Sequence, residues 1–139
     1  PIWEGTTNVL SLDVLRVLQK GGSLLPLRNE LERCITSAKD SSLRAAGAIA
    51  ERALDHAEAW IGKAVATTPQ VVEAGARRFA LTLGRAIELA LLVDHAQWEL
   101  DHGSSPRKKR CAAAARRFSR TPIDLVVDDL ELADAIHLA

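Results

Sequence analysis

Leu43-Arg44-Ala45-Ala46-Gly47-Ala48-Ile49-Ala50-Glu51-Arg52-Ala53-Leu54-Asp55-His56-Ala57-Glu58-Ala59-Trp60-Ile61-Gly62-Lys63-Ala64-Val65 is the stretch that decides the fold. Its apolar positions fall at Leu43, Ala46, Ala50, Leu54, Ala57, Ile61 and Ala64 or Val65, in alternating steps of three and four. That spacing is close to a heptad seam, and the small residues on it permit close helix approach. Arg44, Glu51, Arg52, Asp55, Glu58 and Lys63 occupy the opposite face. The stretch therefore reads as a helix half buried against other helices.

Working outward, Thr67-Thr68-Pro69 supplies a hydroxyl N-cap followed by proline at a first helical position, with Glu73 in the first turn. A long helix is expected from there to about His102, because no breaker interrupts it before Gly103-Ser104-Ser105-Pro106. Between Phe79 and Val93 it is apolar almost all round, which places it at the centre of a bundle or under a partner subunit. Gly75 and Gly84 each cost roughly 1 kcal/mol against alanine inside a helix, so close helix crossings are expected at both. Upstream, a helix should run from near Pro26 to about Lys39, with Leu27, Leu31, Cys34, Ile35 and Ala38 on one face. Asp40-Ser41-Ser42 follows as turn and cap. An earlier helix should span about Thr6 to Lys20 and stop at Gly21-Gly22.

Composition agrees with an all-α, helical bundle of about five to six helices. Apolar residues make up 47% and charged ones 26% of 139 residues, with no tyrosine and no methionine. The length fits one domain with a sizeable core. Within it, residues 1–22 carry a loop motif and the first helix, 23–105 the bundle, and 106–139 a basic helix and an acidic end. Formal net charge is zero, so bulk electrostatics point to neither nucleic acid nor membrane. No apolar run approaches the roughly 20 residues of a membrane span, and the first residues do not read as a signal peptide. Cys34 and Cys111 lack disulfide-scaffold density and metal-ligand spacing, and read as reduced thiols of a cytoplasmic protein.

Charge is polarised near the end. Arg107, Lys108, Lys109, Arg110, Arg116, Arg117 and Arg120 put seven cations and no acid between Pro106 and Thr121, and five acids without Lys or Arg follow from Pro122 to Ala139. If a helix starts at Ser105 or Pro106, its dipole opposes each first-turn cation by roughly 0.3–1 kcal/mol. Either the run lies in a loop with the helix starting near Cys111, or its use favours cations there. Two uses stand open: a patch contacting the phosphates of double-stranded DNA, or a solvated face that pairs with the acidic tail or a neighbouring subunit. Phe118 is the sole aromatic within the run, too few for single-strand stacking. Ile123-Asp124-Leu125-Val126-Val127 alternates weakly without a partner strand, so an extended connector into a short helix from about Asp128 to Leu138 is expected.

The first residues, Pro1-Ile2-Trp3-Glu4-Gly5-Thr6-Thr7-Asn8-Val9-Leu10-Ser11-Leu12-Asp13-Val14-Leu15-Arg16, place a carboxylate and a glycine on the approach to a helix N-terminus. Such an end gathers free N–H groups and partial positive charge. This string resembles the catalytic-loop signature of acyl-CoA dehydrogenases: an aromatic, Glu, Gly, then Thr or Ser. Its continuation, with Trp3 where most members carry tyrosine, is most similar to the adaptive-response branch induced by DNA alkylation. The resemblance implies that Glu4 is the base removing the proton alpha to a thioester carbonyl, with FAD accepting the beta hydrogen as hydride. It also implies acyl-CoA substrate contact at Gly5, flavin contact at Thr6 and Asn8, a homo-oligomer, and DNA contact through the C-terminal helices. It covers about sixteen residues strongly, and the family's N-terminal helical and middle β-domains would lie upstream of Pro1. The chain then reads as a C-terminal portion, inactive and free of FAD by itself. The alternatives are a DNA-contacting module and a purely structural oligomerisation domain.

Four histidines invite a metal reading. Glu99 with His102 and Asp134 with His137 are each spaced i, i+3, as in part of a di-iron bundle site, but that site also needs inward-facing glutamates on two other helices. Both pairs sit near helix ends, so surface or capping roles are expected and no metal site is assigned.

Overall fold

A computed structural model describes residues 7–128. Among these residues there are five helices and no strand: α1 (Thr7–Gln19), α2 (Leu25–Thr36), α3 (Ser41–Ala64), α4 (Pro69–His102) and α5 (Ser105–Phe118). The expected all-α bundle is what forms. The expected helix from about residue 128 lies outside the described residues.

The 34-residue α4 is the central strut, packed by α1, α2, α3 and α5. Its apolar circumference is explained by that position. Against it lies α3, whose seam residues Leu43, Ala46, Ala50, Leu54, Ala57 and Ala64 are buried, with Ile61 half-buried and Val65 exposed. Alanines bring the two axes together, and the larger side chains fill what space is left: Trp60 and Phe79 meet with ring centroids 5.5 Å apart. Gly75 lies at this crossing, where a Cβ would overlap the Trp60 indole. Gly84 does not behave as its sequence context suggested, since it is exposed with nothing near its would-be Cβ. It sits on the outward face, where only the helix propensity cost applies.

Helix ends follow local chemistry. After α1, Gly21 takes a left-handed φ of 88°, and the Gly21 and Gly22 amides donate to the Leu18 and Val17 carbonyls at 3.1 and 2.9 Å. This is the paired bonding of a Schellman ending, which only glycine enters without steric cost. Asp40 caps α3, its carboxylate accepting from the Ser42 and Leu43 amides at 2.9 and 3.1 Å. The Ser42 hydroxyl first, and these amide bonds with it, hold its carboxyl below the usual range. Thr68, by contrast, precedes α4 without a side-chain cap bond, and the neighbouring Thr67 hydroxyl turns back to the Ala64 carbonyl at 2.6 Å. The expected Thr cap is therefore replaced by a bond closing the end of α3.

Polar ties set the remaining helices. Arg28 on α2 reaches Glu58 at 2.6 Å and Asp55 at 2.7 Å on α3, and these partners raise its pKa further. Gln97 of α4 is buried, accepting from the Lys39 and Asp40 amides at 2.8 and 3.1 Å and donating to Asp101 at 3.1 Å. The segment after α5 is extended, as expected. Ile123 is buried, and the Leu125 amide donates to the fully buried Thr82 hydroxyl at 2.9 Å.

Candidate functional site

Glu4, Gly5 and Thr6 lie outside the described residues, as does the side chain of Asn8, so their expected roles rest on sequence. The structure does describe the helix they lead into. Leu15 of α1 is buried against α4, with Leu12, Val14 and Leu18 partly buried beside it. The first turn of α1 holds no acidic side chain. A cleft of about 470 Å³ lies beside the other half of α1, lined by Leu12, Leu15, Ile61, Val65, Pro69 and Val72. It is within the size range of small-molecule pockets but is not at the α1 start.

The basic run lies on α5, which begins at Ser105, so the loop alternative is excluded. Ser104 precedes it without a side-chain cap bond. Lys109, Arg110, Arg117 and Arg120 are exposed. At 100° per residue Lys109, Arg110 and Arg117 fall on one outward arc of the helix, with Arg120 in the turn just past its end, while Ala112 and Ala115 are buried on the other side. Arg107 is exposed at the edge of the arc, and Lys108 and Arg116 are half-buried. Among the described residues the run makes one ion pair, Arg107 to Glu99 at 3.8 Å. The described part of the acidic end is engaged elsewhere. Asp124 and Asp128 bind the two ring nitrogens of His56 on α3 at 2.6 and 3.2 Å, and Asp128 also faces Lys63 at 3.8 Å.

Of the two carboxylate–histidine spacings, Glu99 with His102 does not form a pair. His102 Nδ1 lies 3.0 Å from the Trp98 carbonyl oxygen, and its ring packs on Trp98 with centroids 5.2 Å apart. Asp134 and His137 lie outside the described residues. The structure instead gathers His95, Glu99 and Cys111, a grouping that sequence reasoning missed because Cys111 arrives from another helix. The His95–Glu99 spacing of four was the one legible signal. Cys34 is fully buried, which with nearby Asp94 and Glu30 pushes its thiol up to about 11 despite Arg33. Cys34 and Cys111 are both free thiols. Among the described residues no helix is long and apolar enough to cross a membrane.

An all-helical bundle with a basic outer helix is the class that this geometry defines. Residues 24–135 match the family described as acyl-CoA dehydrogenase 11 C-terminal domain-like. The chain is also 40% identical over 102 residues to acyl-CoA dehydrogenase family member 11 of Caenorhabditis elegans, covering 69% of this chain and 16% of that protein. No solved structure matches it. The chain belongs to the acyl-CoA dehydrogenase 11 C-terminal domain-like family, and spans about a sixth of the length of the curated relative.

Proposed function

We propose that this chain is the C-terminal helical part of an acyl-CoA dehydrogenase that desaturates an acyl-CoA thioester between its alpha and beta carbons. The family match over residues 24–135 carries this reading. FAD, when bound in the longer protein, supplies the hydride acceptor. Glu4 takes the alpha proton on its carboxylate, and Gly5 leaves room for the thioester to approach it. Thr6 and Asn8 hydrogen-bond polar atoms of the flavin at the start of α1, where unpaired N–H groups favour negative charge. One helix N-terminus offers few donors, whereas a flavin ring and pyrophosphate need several elements. The 139-residue chain by itself is therefore expected neither to hold FAD nor to turn over.

In the longer protein Glu4→Gln keeps shape and hydrogen bonding but removes the base. Stopped-flow flavin reduction by an acyl-CoA should slow by about 10²–10⁴. Reduction at the parental rate would overturn the assignment of Glu4, and stoichiometric flavin retained by the purified 139-residue chain through gel filtration would overturn the partial-chain reading.

Exposure of Lys109, Arg110, Arg117 and Arg120, with Asp124 and Asp128 turned to His56 instead, favours a second reading, contact with duplex DNA. Each neutralised phosphate steepens the log–log salt dependence by about 0.9. Replacing Arg107, Lys108, Lys109 and Arg110 by Gln should flatten that slope by about the number of phosphates they touch. An unchanged slope, or no binding at low salt, leaves the arc as an assembly surface. Exposed Leu10 and Val17 on α1 supply apolar area for a homo-oligomer of the longer protein.

A further inference from the structure

Three donors of different chemistry meet where α4 turns into α5. His95 and Glu99 are four residues apart on α4 and so share a face, and Cys111 comes from the second turn of α5 packed across it. A His95 ring nitrogen, a Glu99 carboxylate oxygen and Cys111 Sγ all lie within 4.8 Å of one another. Glu99 separates this cluster from an ordinary surface group. It is only 3% exposed, yet its Oε2 has no hydrogen-bond partner. The Arg107 guanidinium stays 3.8 Å from Oε1, beyond hydrogen-bond reach. This long ion pair leaves Oε2 buried without a hydrogen bond, which is costly unless a metal or another donor meets it. Gly103 makes the placement possible, since a Cβ there would overlap Oε2.

We propose that His95, Glu99 and Cys111 form a three-ligand site for a divalent cation of the Zn²⁺ class, which pins α5 to α4. An imidazole, a carboxylate and a thiolate are the donors such ions take, whereas Mg²⁺ and Ca²⁺ select oxygen alone. Bonds of about 2.0–2.3 Å put tetrahedral donors roughly 3.3–3.8 Å apart, about 1 Å inside the present outer limit. Small side-chain shifts on binding, that of the exposed His95 ring among them, bring the donors to that spacing. Water fills the fourth position on the open side. As the sulfur–metal bond forms, Cys111 releases its thiol proton to solvent. The thiolate and the Glu99 carboxylate then balance both charges of the ion, so Arg107 meets a neutral centre.

Titration of the metal-free 139-residue chain with Co²⁺ tests this. One equivalent should produce a sulfur-to-cobalt charge-transfer band, equally in Cys34→Ser, whose thiol is buried elsewhere, and not in Cys111→Ser. Glu99→Gln and His95→Ala should each weaken Co²⁺ binding by more than the about 10–100-fold typical of losing a supporting residue. Competing Zn²⁺ should abolish the band and raise the thermal midpoint of the wild type but not of Cys111→Ser. Absence of the band in the wild type, its survival in Cys111→Ser, or unchanged affinity in Glu99→Gln and His95→Ala with native helix content overturns the proposal.

Discussion

The two ends of α4 bury side chains by different rules. From Val72 to Val93 it buries apolar groups in the bundle core, with Phe79, Ala86, Leu89, Ala90 and Val93 fully enclosed and Thr82 the one polar residue among them. From Asp94 to His102 it buries Gln97 and Glu99, while Trp98 stands 55% exposed. The first region is interchangeable hydrocarbon, and its worth is stability. The second confines polar atoms whose worth depends on named partners, and it is here that specific chemistry collects. Beside the buried Ala96, burial at this end is sparser and mostly polar, so it differs in kind along one helix.

Phe79→Ala breaks the dry region and should have the largest effect. Loss of a fully buried aromatic typically costs about 3–5 kcal/mol, to be read as a lower denaturant midpoint with helical content otherwise retained. A cost under about 1 kcal/mol would mean that the α3–α4 seam is not the centre of stability. At the polar end, Gln97→Ala removes the acceptor for two backbone amides, and leaving such groups unsatisfied costs about 1–3 kcal/mol. A loss equal to that of Phe79→Ala would erase the contrast between the ends.

The two glycines of α4 sharpen it further. Gly75→Ala drives a methyl into the Trp60 ring, which Phe79 backs. Overpacking of about 1–3 kcal/mol outweighs the helix propensity gained, and unfolding should come at lower denaturant. Gly84→Ala meets open space and should stabilise by about 0.5–1 kcal/mol. Equal signs for the pair would refute the geometry assigned to the α3–α4 crossing.

The smallest effect is pH-dependent. Asp124 first, and Asp128 with it, raise the His56 pKa above its usual 6.5 against partial desolvation. The folded value exceeds the unfolded one, so the contribution is complete below about pH 6.5 and disappears as pH rises through the raised value. The group is 31% exposed, and screening holds the effect under about 1 kcal/mol. His56→Gln should flatten the stability–pH profile above about pH 6.5; a profile unchanged by the substitution would remove this tie from the account.

Sequence by itself determined the helices and their order. The steps of three and four through Leu43–Ala64, the unbroken run from Pro69 to His102 and the glycine pair at 21–22 are local signals, because helix periodicity and capping depend on residues within a turn or two. The motif around Glu4 was likewise legible as a string. Only tertiary structure decided that Gly75 is a contact and Gly84 is not, since both lie inside one helix and differ in what faces them. It also decided that the α5 cations stand outward while Asp124 and Asp128 turn to His56. Glu99 was read with His102, three residues on, because spacing was all there was to go by. Its neighbour Cys111 lies twelve residues further and past a turn, and side chains from two helices meet only where the packing of α5 on α4 brings their faces together.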